Sequence, residues 1–482
     1  MGLARPVVRN TLALSAGQLG TRVLTIFYVA ALARHIHTDG MGALATSQSL
    51  GVIVALMIGL GHDTLAIREI AARPHEGTAW LWDLLGLRVG LSMVGLIGLA
   101  AFSRLVDYPP ETSQVVLVYG LVTVVGALLS VPRNLIQAHE LLALEAAVQF
   151  GRDVANITLS VIAIALGASL VTIVWISVLA NVGQLAVELS IVARRKMATW
   201  GRPSLARIRA IFRGGVGIGL VVLCSILYAQ VGTILLSLLA GPTATGTYAA
   251  AYNLLLVLLI VPDMFQRAVF PVFARLHADP NRNLGEAYEQ SLRALTAVAL
   301  PLAVGTWLVA APAITLLYGP DFAASVAPLR VLCAAVAVTA SYASGAILIA
   351  AGQQRRFALT TGAELFVQVC LALVLIPIWG PLGATIGYAA PRVVAFVFYL
   401  VWCHRLLRRR PRLAPLLRIA LATLVMGAVV AGGLQADVHW LWLACLIGPV
   451  TYGLGLLVLG EVKLADLRGL RGGGFGAQQR FQ

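Results

Sequence analysis

The sequence predicts an all-α polytopic membrane protein of about fourteen transmembrane helices, arranged as two six-helix lobes followed by two further helices. Three observations predict it. First, 59% hydrophobic residues against 11% charged ones, with a mean hydropathy of +0.89, leave too little polar surface to cover a water-soluble globule of 482 residues. Second, the basic residues crowd alternate breaks between apolar runs. Third, the chain before the long basic stretch 194–213 can be laid over the chain after it.

Apolar runs of about 20 residues or more, the length a helix needs to cross roughly 30 Å of hydrocarbon, recur from end to end. Stretches such as Gly51 to Leu60 and Leu254 to Val261 are apolar on every side, which suits helices and not the alternating strands of a barrel. The first run, from Thr11 to Ala33, exceeds the core of a signal peptide and reads as the first span instead of a detachable leader. Spans are expected near 10–34, 43–70, 80–103, 114–137, 144–167 and 170–193, then near 214–240, 247–274, 289–317, 325–350, 357–379 and 383–404. A further pair falls near 416–434 and 440–460.

The loops test this count, because Lys and Arg concentrate in cytoplasmic loops. The break after the sixth span carries Arg194, Arg195, Lys196, Arg202, Arg207, Arg209 and Arg213. That after the twelfth carries Arg405, Arg408, Arg409, Arg410 and Arg412. Smaller clusters sit at Arg5 and Arg9, Arg68 and Arg73, Arg275 and Arg282, and Arg355 and Arg356. The opposite breaks, around Gly167–Leu170, Gly241–Gly246, Gly319–Ser325, Gly380–Gly383 and Gln435–His439, contain no Lys or Arg. Both termini are therefore expected in the cytoplasm, with the protein in the plasma (inner) membrane. The net charge of +15 is spread over these short breaks, so anionic lipid headgroups are the expected partner and nucleic acid is not.

The expected organisation is an N-terminal lobe over 1–193, a basic linker over 194–213, a C-terminal lobe over 214–404, a basic loop over 405–415, appended helices over 416–460 and a tail over 461–482. Overlaying the lobes places Gly42 on Gly246, Ser49 on Asn253, Leu87–Arg88 on Leu292–Arg293 and the Gly167 turn on the Gly380 turn. Six helices per half is an even number. The halves then start on the same side and are related by a pseudo-two-fold along the membrane normal, which places a cavity between two bundles. Within the linker, Leu205, Ile208 and Phe212 fall on one face of a basic amphipathic surface helix.

Ionisable residues inside spans are the candidate functional residues, since each costs about 2.5–3.5 kcal/mol in hydrocarbon by insertion scales unless it meets a partner or water. In the first span Ser15, Gln18, Arg22 and Thr25 follow at helical spacing as one polar stripe, which either lines a cavity or holds an arginine that snorkels or pairs within the bundle. Asp63 lies in the second span. Asp263 and Arg267 stand one turn apart in the eighth, where they either neutralise each other or face the cavity. Arg152 and Asp153, Glu364, and Arg392 complete the set. Glu364 is either a coupling carboxylate for protons or cations, or the partner of a nearby arginine. Asp83, Arg88, Arg133, Glu188 and Arg293 lie nearer the cytoplasmic ends and read as interfacial or gate residues, and Tyr108, Trp200, Trp440 and Trp442 as an aromatic belt.

Several chemistries are not indicated. The five cysteines have no paired spacing and no neighbouring histidine, so neither a disulfide framework nor a zinc site is expected. No GxxxxGK[ST] loop is present to cradle a nucleotide, no stretch outside the spans is long enough for a catalytic fold, and no cofactor is expected.

The segment from Ala33-Arg34 through Gly40, Gly42 and Ala43, then Gly59-Leu60-Gly61 and Ala66-Ile67-Arg68-Glu69-Ile70-Ala71, resembles the opening of polysaccharide-export flippases of the multidrug/oligosaccharidyl-lipid/polysaccharide (MOP) superfamily. Leu317-Tyr318-Gly319-Pro320-Asp321-Phe322, followed by Ala327 and Leu329, resembles the turn between the ninth and tenth helices of the same family. The resemblance implies twelve core helices in two lobes, two appended helices and a V-shaped lumen opening alternately to each side. Its implied substrate is a polyprenyl-pyrophosphate-linked oligosaccharide, with a proton or sodium gradient as driving force and a polysaccharide polymerase and glycosyltransferases as partners. Arg22, Arg152, Arg267 and Arg392 are then candidates for a cationic lumen lining, with Gln18 and Asp63 beside them, and Glu364, Asp153 and Asp263 for coupling or charge pairing. The main rival is a drug or cation exporter of the same superfamily, which would favour an acidic and aromatic lining. A polymerase or ligase on the same carrier would call for a large extracytoplasmic loop, and the expected loops there are short.

Overall fold

In hydrocarbon every backbone N–H and C=O must be paired within its own segment, and the apolar runs answer this by forming helices. The computed structural model describes residues 4–278, 283–407, 412–436 and 438–461, with side chains at 4–23, 214–222, 224, 225, 278 and 413 left out. Among the described residues there are helices and turns and no strand. Large apolar side chains such as Met93, Val94, Ile97, Leu179, Phe366, Ile378 and Leu424 are more than half exposed. Apolar surface of that extent belongs against lipid, and the protein is a multi-pass membrane protein.

The elements run α1 (Ala4–Gly59), α2 (His62–Ala72), α3 (Gly77–Leu105), α4 (Pro110–Ala138), α5 (Leu142–Ala165), α6 (Leu170–Arg194), α7 (Leu205–Leu239), α8 (Gly241–Leu258), α9 (Ile260–Ala278) and α10 (Leu284–Leu308). They continue with α11 (Ala310–Tyr318), α12 (Val326–Ala337), α13 (Ser341–Ala350), α14 (Gln354–Trp379), α15 (Pro381–Leu407), α16 (Leu413–Gln435), α17 (Trp440–Trp442) and α18 (Gly448–Val458). Eleven helical stretches among the described residues are long and apolar enough to cross a membrane, against an expectation of about fourteen. The difference has local causes. The expected first and second spans run on as one stretch that bends at His37, whose φ of 56° and ψ of −169° interrupt the helix. The fifth span forms α5 but carries Glu145, Arg152 and Asp153. Of the seventh, only Ile226–Leu239 counts, as a shorter apolar helix, while the ninth and tenth are represented by Leu284–Leu308 and Pro320–Ala337.

The chain divides into two compact units. The first comprises Met1–Ala249, Leu317–Phe322 and Ile376–Ala384. In it Leu50, Val54 and Ile58 of α1 pack with Leu99 of α3 and Val116 and Ala127 of α4, while Ala66, Ile70, Leu84, Leu135 and Ile211 join α2, α3, α4 and α7 in a second cluster.

The basic stretch before α7 is held down on this unit and is not a separate surface helix. The Trp82 indole donates to Thr199 O at 3.0 Å, and Thr199 N donates to Thr78 Oγ1 at 3.0 Å. Asp83, almost fully buried, accepts from Ser204 N at 2.6 Å and pairs with Arg207 at 2.7 Å. Residues 205–213 are therefore the opening turns of α7, and Leu205 is exposed while Ile208 and Phe212 pack inward, which splits the apolar face expected for them. Tyr108, expected in an aromatic belt, is buried with its hydroxyl 2.9 Å from Ser237 Oγ. A tyrosine with a buried hydroxyl partner and one at a headgroup boundary share the same sequence signature, an aromatic next to a polar break.

The second unit comprises Ala250–Leu316, Ala323–Leu375 and Thr385–Gln482. Its core joins α9, α10, α13 and α15 through Phe273, Leu292, Leu295, Ile347 and Tyr399. The appended helices dock on α10: Met426 and Val430 of α16 pack with Val309 and Leu443, and Ile419 and Ala422 with Leu456. Glu461, past the end of α18, is buried and ion-paired with both Arg293 of α10 and Arg418 of α16. Arg293, expected as an interfacial or gate residue, thus ties the appended pair to its unit.

Candidate functional site

The structure gathers the predicted charges into clusters within each unit. In the first unit Arg88 of α3, only 2% exposed, donates to Asp63 Oδ1 at 2.6 Å, to Ala127 O at 2.6 Å and to Ser130 Oγ. Asn134 of α4 donates to the same Asp63 oxygen at 2.6 Å. Asp63 thereby closes a knot across α2, α3 and α4. Arg88, expected near an interface, is its buried centre.

A second cluster lies across α4, α5 and α6. Arg133 sits 3.3 Å from Glu145, and Arg152 sits 3.0 Å from Asp153 while donating to Gln184 Oε1 at 3.1 Å. Gln184 passes its other end to Glu188 at 2.8 Å. Arg152 and Asp153 are sequence neighbours, but Gln184 and Glu188 enter only because α6 packs on α5 and α4. The spacing of four residues between Gln184 and Glu188 was readable, and the crossing was not.

In the second unit Arg392 of α15 lies 3.9 Å from Glu364 of α14 and donates to Tyr342 Oη at 3.1 Å. Its guanidinium stands 5.7 Å from the ring centres of both Tyr342 and Tyr388, and Tyr252 meets Tyr388 edge-on at 5.5 Å. The planar cation is thus stacked as well as paired. Tyr388 stands four residues before Arg392 on α15, a spacing the sequence shows, whereas Tyr342 comes from α13 with no sequence signal linking it to Arg392. On α9, Asp263 and Arg267 are both exposed, and Asp263 is close enough to Tyr342 to act on it electrostatically. Arg22 and Gln18 lie on α1, but their side chains are outside the described residues.

A third arrangement, in the first unit, joins segments far apart in sequence. A Cβ added to Gly42 would sit 1.9 Å from Pro242 O, and one added to Gly246 would sit 1.9 Å from Thr38 O. The contact is reciprocal: Thr38 and Pro242 each precede their glycine by one turn, and Asp39 and Thr243, each three residues before, are hydrogen-bonded to one another. Beside this crossing Arg34 Nε donates to Leu317 O at 3.2 Å, and His37 Nδ1 lies 2.6 Å from Asp321 Oδ2. The repeat-related glycines touch, and the two segments that carry the family resemblance meet at the same place.

Two helical units with arginine–carboxylate clusters inside their spans make a polytopic membrane fold, and that fold is like those of MOP superfamily transporters. The structure is similar to the lipid II flippase MurJ in an inward closed conformation, at a TM-score of 0.72 and 14% identity over 95% of this chain and 99% of that one. It is also similar to an inward-facing multidrug resistance MATE family transporter, at a TM-score of 0.63 and 16% identity over 80% of this chain and 95% of that one. A MOP superfamily transporter from Pyrococcus furiosus matches at a TM-score of 0.55 and 17% identity, over 83% and 95%. No curated protein matches the sequence. Residues 7–277 match the family described as polysaccharide biosynthesis protein, and the chain belongs to that family. Its fold relatives are transporters and not enzymes.

Proposed function

We propose that the protein flips a polyprenyl-pyrophosphate-linked oligosaccharide from the cytoplasmic to the outer leaflet of the plasma membrane by alternating access, both termini being cytoplasmic. The observation that carries this reading is the likeness to a lipid flippase over 95% of the chain, whereas the multidrug transporter matches 80%. The chemistry agrees with it. A pyrophosphate and hydrophilic sugars must cross hydrocarbon while the polyprenyl tail stays in lipid, and arginines suit the phosphates because they bind them through two parallel hydrogen bonds. Glycosyltransferases would build this substrate and a polysaccharide polymerase would consume its product.

Arg22, deep in α1, is the proposed pyrophosphate ligand. Arg22→Ala should reduce glycan export at least tenfold while the amount of protein in the membrane stays normal; full export by this variant would remove Arg22 from the role. Glu364, beside Arg392, is the proposed coupling carboxyl. Transport by Glu364→Gln in vesicles should no longer respond to an imposed proton or sodium gradient, and an unchanged response would leave Glu364 as a structural partner of Arg392.

A further inference from the structure

The cluster across α4, α5 and α6 has one carboxyl more than its arginines can neutralise. Arg133 is matched with Glu145 and Arg152 with Asp153, so two cations face three carboxyls and the remaining one is Glu188. Glu188 is also the most deeply placed of the three, at 0% exposure. Its Oε1 accepts from Gln184 at 2.8 Å, and its Oε2, sealed from solvent, has no hydrogen-bond partner among the described residues. The groups that act on it from the packed helices are Arg133 of α4 and Glu145 and Arg152 of α5. Each of these arginines already has its own carboxylate.

An ionised carboxylate in such a place would carry a full uncompensated charge, whereas the acid form leaves only a neutral O–H without an acceptor, a far smaller cost. We propose that Glu188 is a proton-binding site, occupied in the conformation described. The proton resides on Oε2, and Oε1 stays the acceptor for the Gln184 amide. Releasing it would leave an anion whose nearest cations are committed, so Arg152 must leave Asp153 or Arg133 must leave Glu145. Proton exchange at Glu188 is thereby tied to re-pairing where α6 packs on α4 and α5. The site does not depend on the identity of the transported substrate.

Infrared difference spectroscopy of the purified full-length protein in lipid nanodiscs tests this without a transport assay. At neutral pH the wild type should show a carbonyl-stretch component of a protonated carboxyl that moves when glutamate is labelled with carbon-13. Glu188→Gln should lose it, Gln184→Leu should shift it by removing the amide donor, and Glu364→Gln should leave it in place. Absence of the component from the wild type overturns the proposal, as does its persistence in Glu188→Gln. If Glu188→Gln fails to fold, an unshifted component in Gln184→Leu overturns it instead, and loss of the component in Glu364→Gln alone assigns the proton elsewhere.

Discussion

Gly42→Ala is expected to cost about 3 kcal/mol of stability, the upper part of the usual range for overpacking, and to abolish transport. Elsewhere in a helix the same change is mildly favourable, by about 0.5–1 kcal/mol, because alanine restricts the unfolded chain. Here the new methyl would lie 1.9 Å from Pro242 O, a backbone atom that cannot rotate aside. The helices must part to admit it, and the Asp39–Thr243 hydrogen bond next to the crossing would go with them. Gly246→Ala should have the same effect through Thr38 O. The double variant should cost less than the sum, since one separation serves both methyls. Gly98, with open space where a Cβ would stand, is the control. Equilibrium unfolding in mild detergent, with transport measured alongside, checks the set. Equal stability for Gly42→Ala and Gly98→Ala would refute the crossing.

The knot around Arg88 makes an asymmetric prediction. Asp63→Leu strands a guanidinium that is 2% exposed and has no other carboxylate bonded to it among the described residues, and removing one partner of a buried pair typically costs about 3–5 kcal/mol. Arg88→Met is milder, at about 1–3 kcal/mol. The Asp63 side chain is 43% exposed and keeps its bond from Asn134, and Ala127 O keeps a donor in Ser130 at 2.9 Å. The double variant should sit near Arg88→Met alone. Unfolding of the four proteins in the cycle decides it, and a larger penalty for Arg88→Met than for Asp63→Leu would contradict the arrangement.

Much of the fold was legible because a membrane imposes length and polarity rules that act on single segments. The apolar runs and the family-like stretches at Ala33–Ala43 and Leu317–Phe322 are of this kind. So was the match of Gly42 to Gly246, although the sequence could say only that they correspond. Two repeat-related glycines need not touch, and their contact follows from a crossing that no single segment encodes.

The sites were legible as a set of unusual residues and not as partnerships. Arg88 and Asp63 lie 25 positions apart on different helices, and neither position announces the other. Tyr342 looks like an ordinary apolar-span aromatic until α13 packs on α15 and brings it against Arg392. The opening of α7 was not legible, because a basic run with apolar residues at helical spacing fits a surface helix and a docked helix start equally well. The hydrogen bonds that decide between them come from Thr78, Trp82 and Asp83, more than a hundred residues earlier.

Reconstituted flipping tests the proposed substrate most directly. Purified protein in sealed proteoliposomes should move a polyprenyl-pyrophosphate-linked oligosaccharide from one leaflet to the other, scored by its accessibility to an added glycosidase. Arg22→Ala vesicles should resemble protein-free ones, and a cationic dye should not cross in either. Dye transport by the wild type with no movement of the lipid-linked glycan would contradict the account and favour the drug-exporter reading.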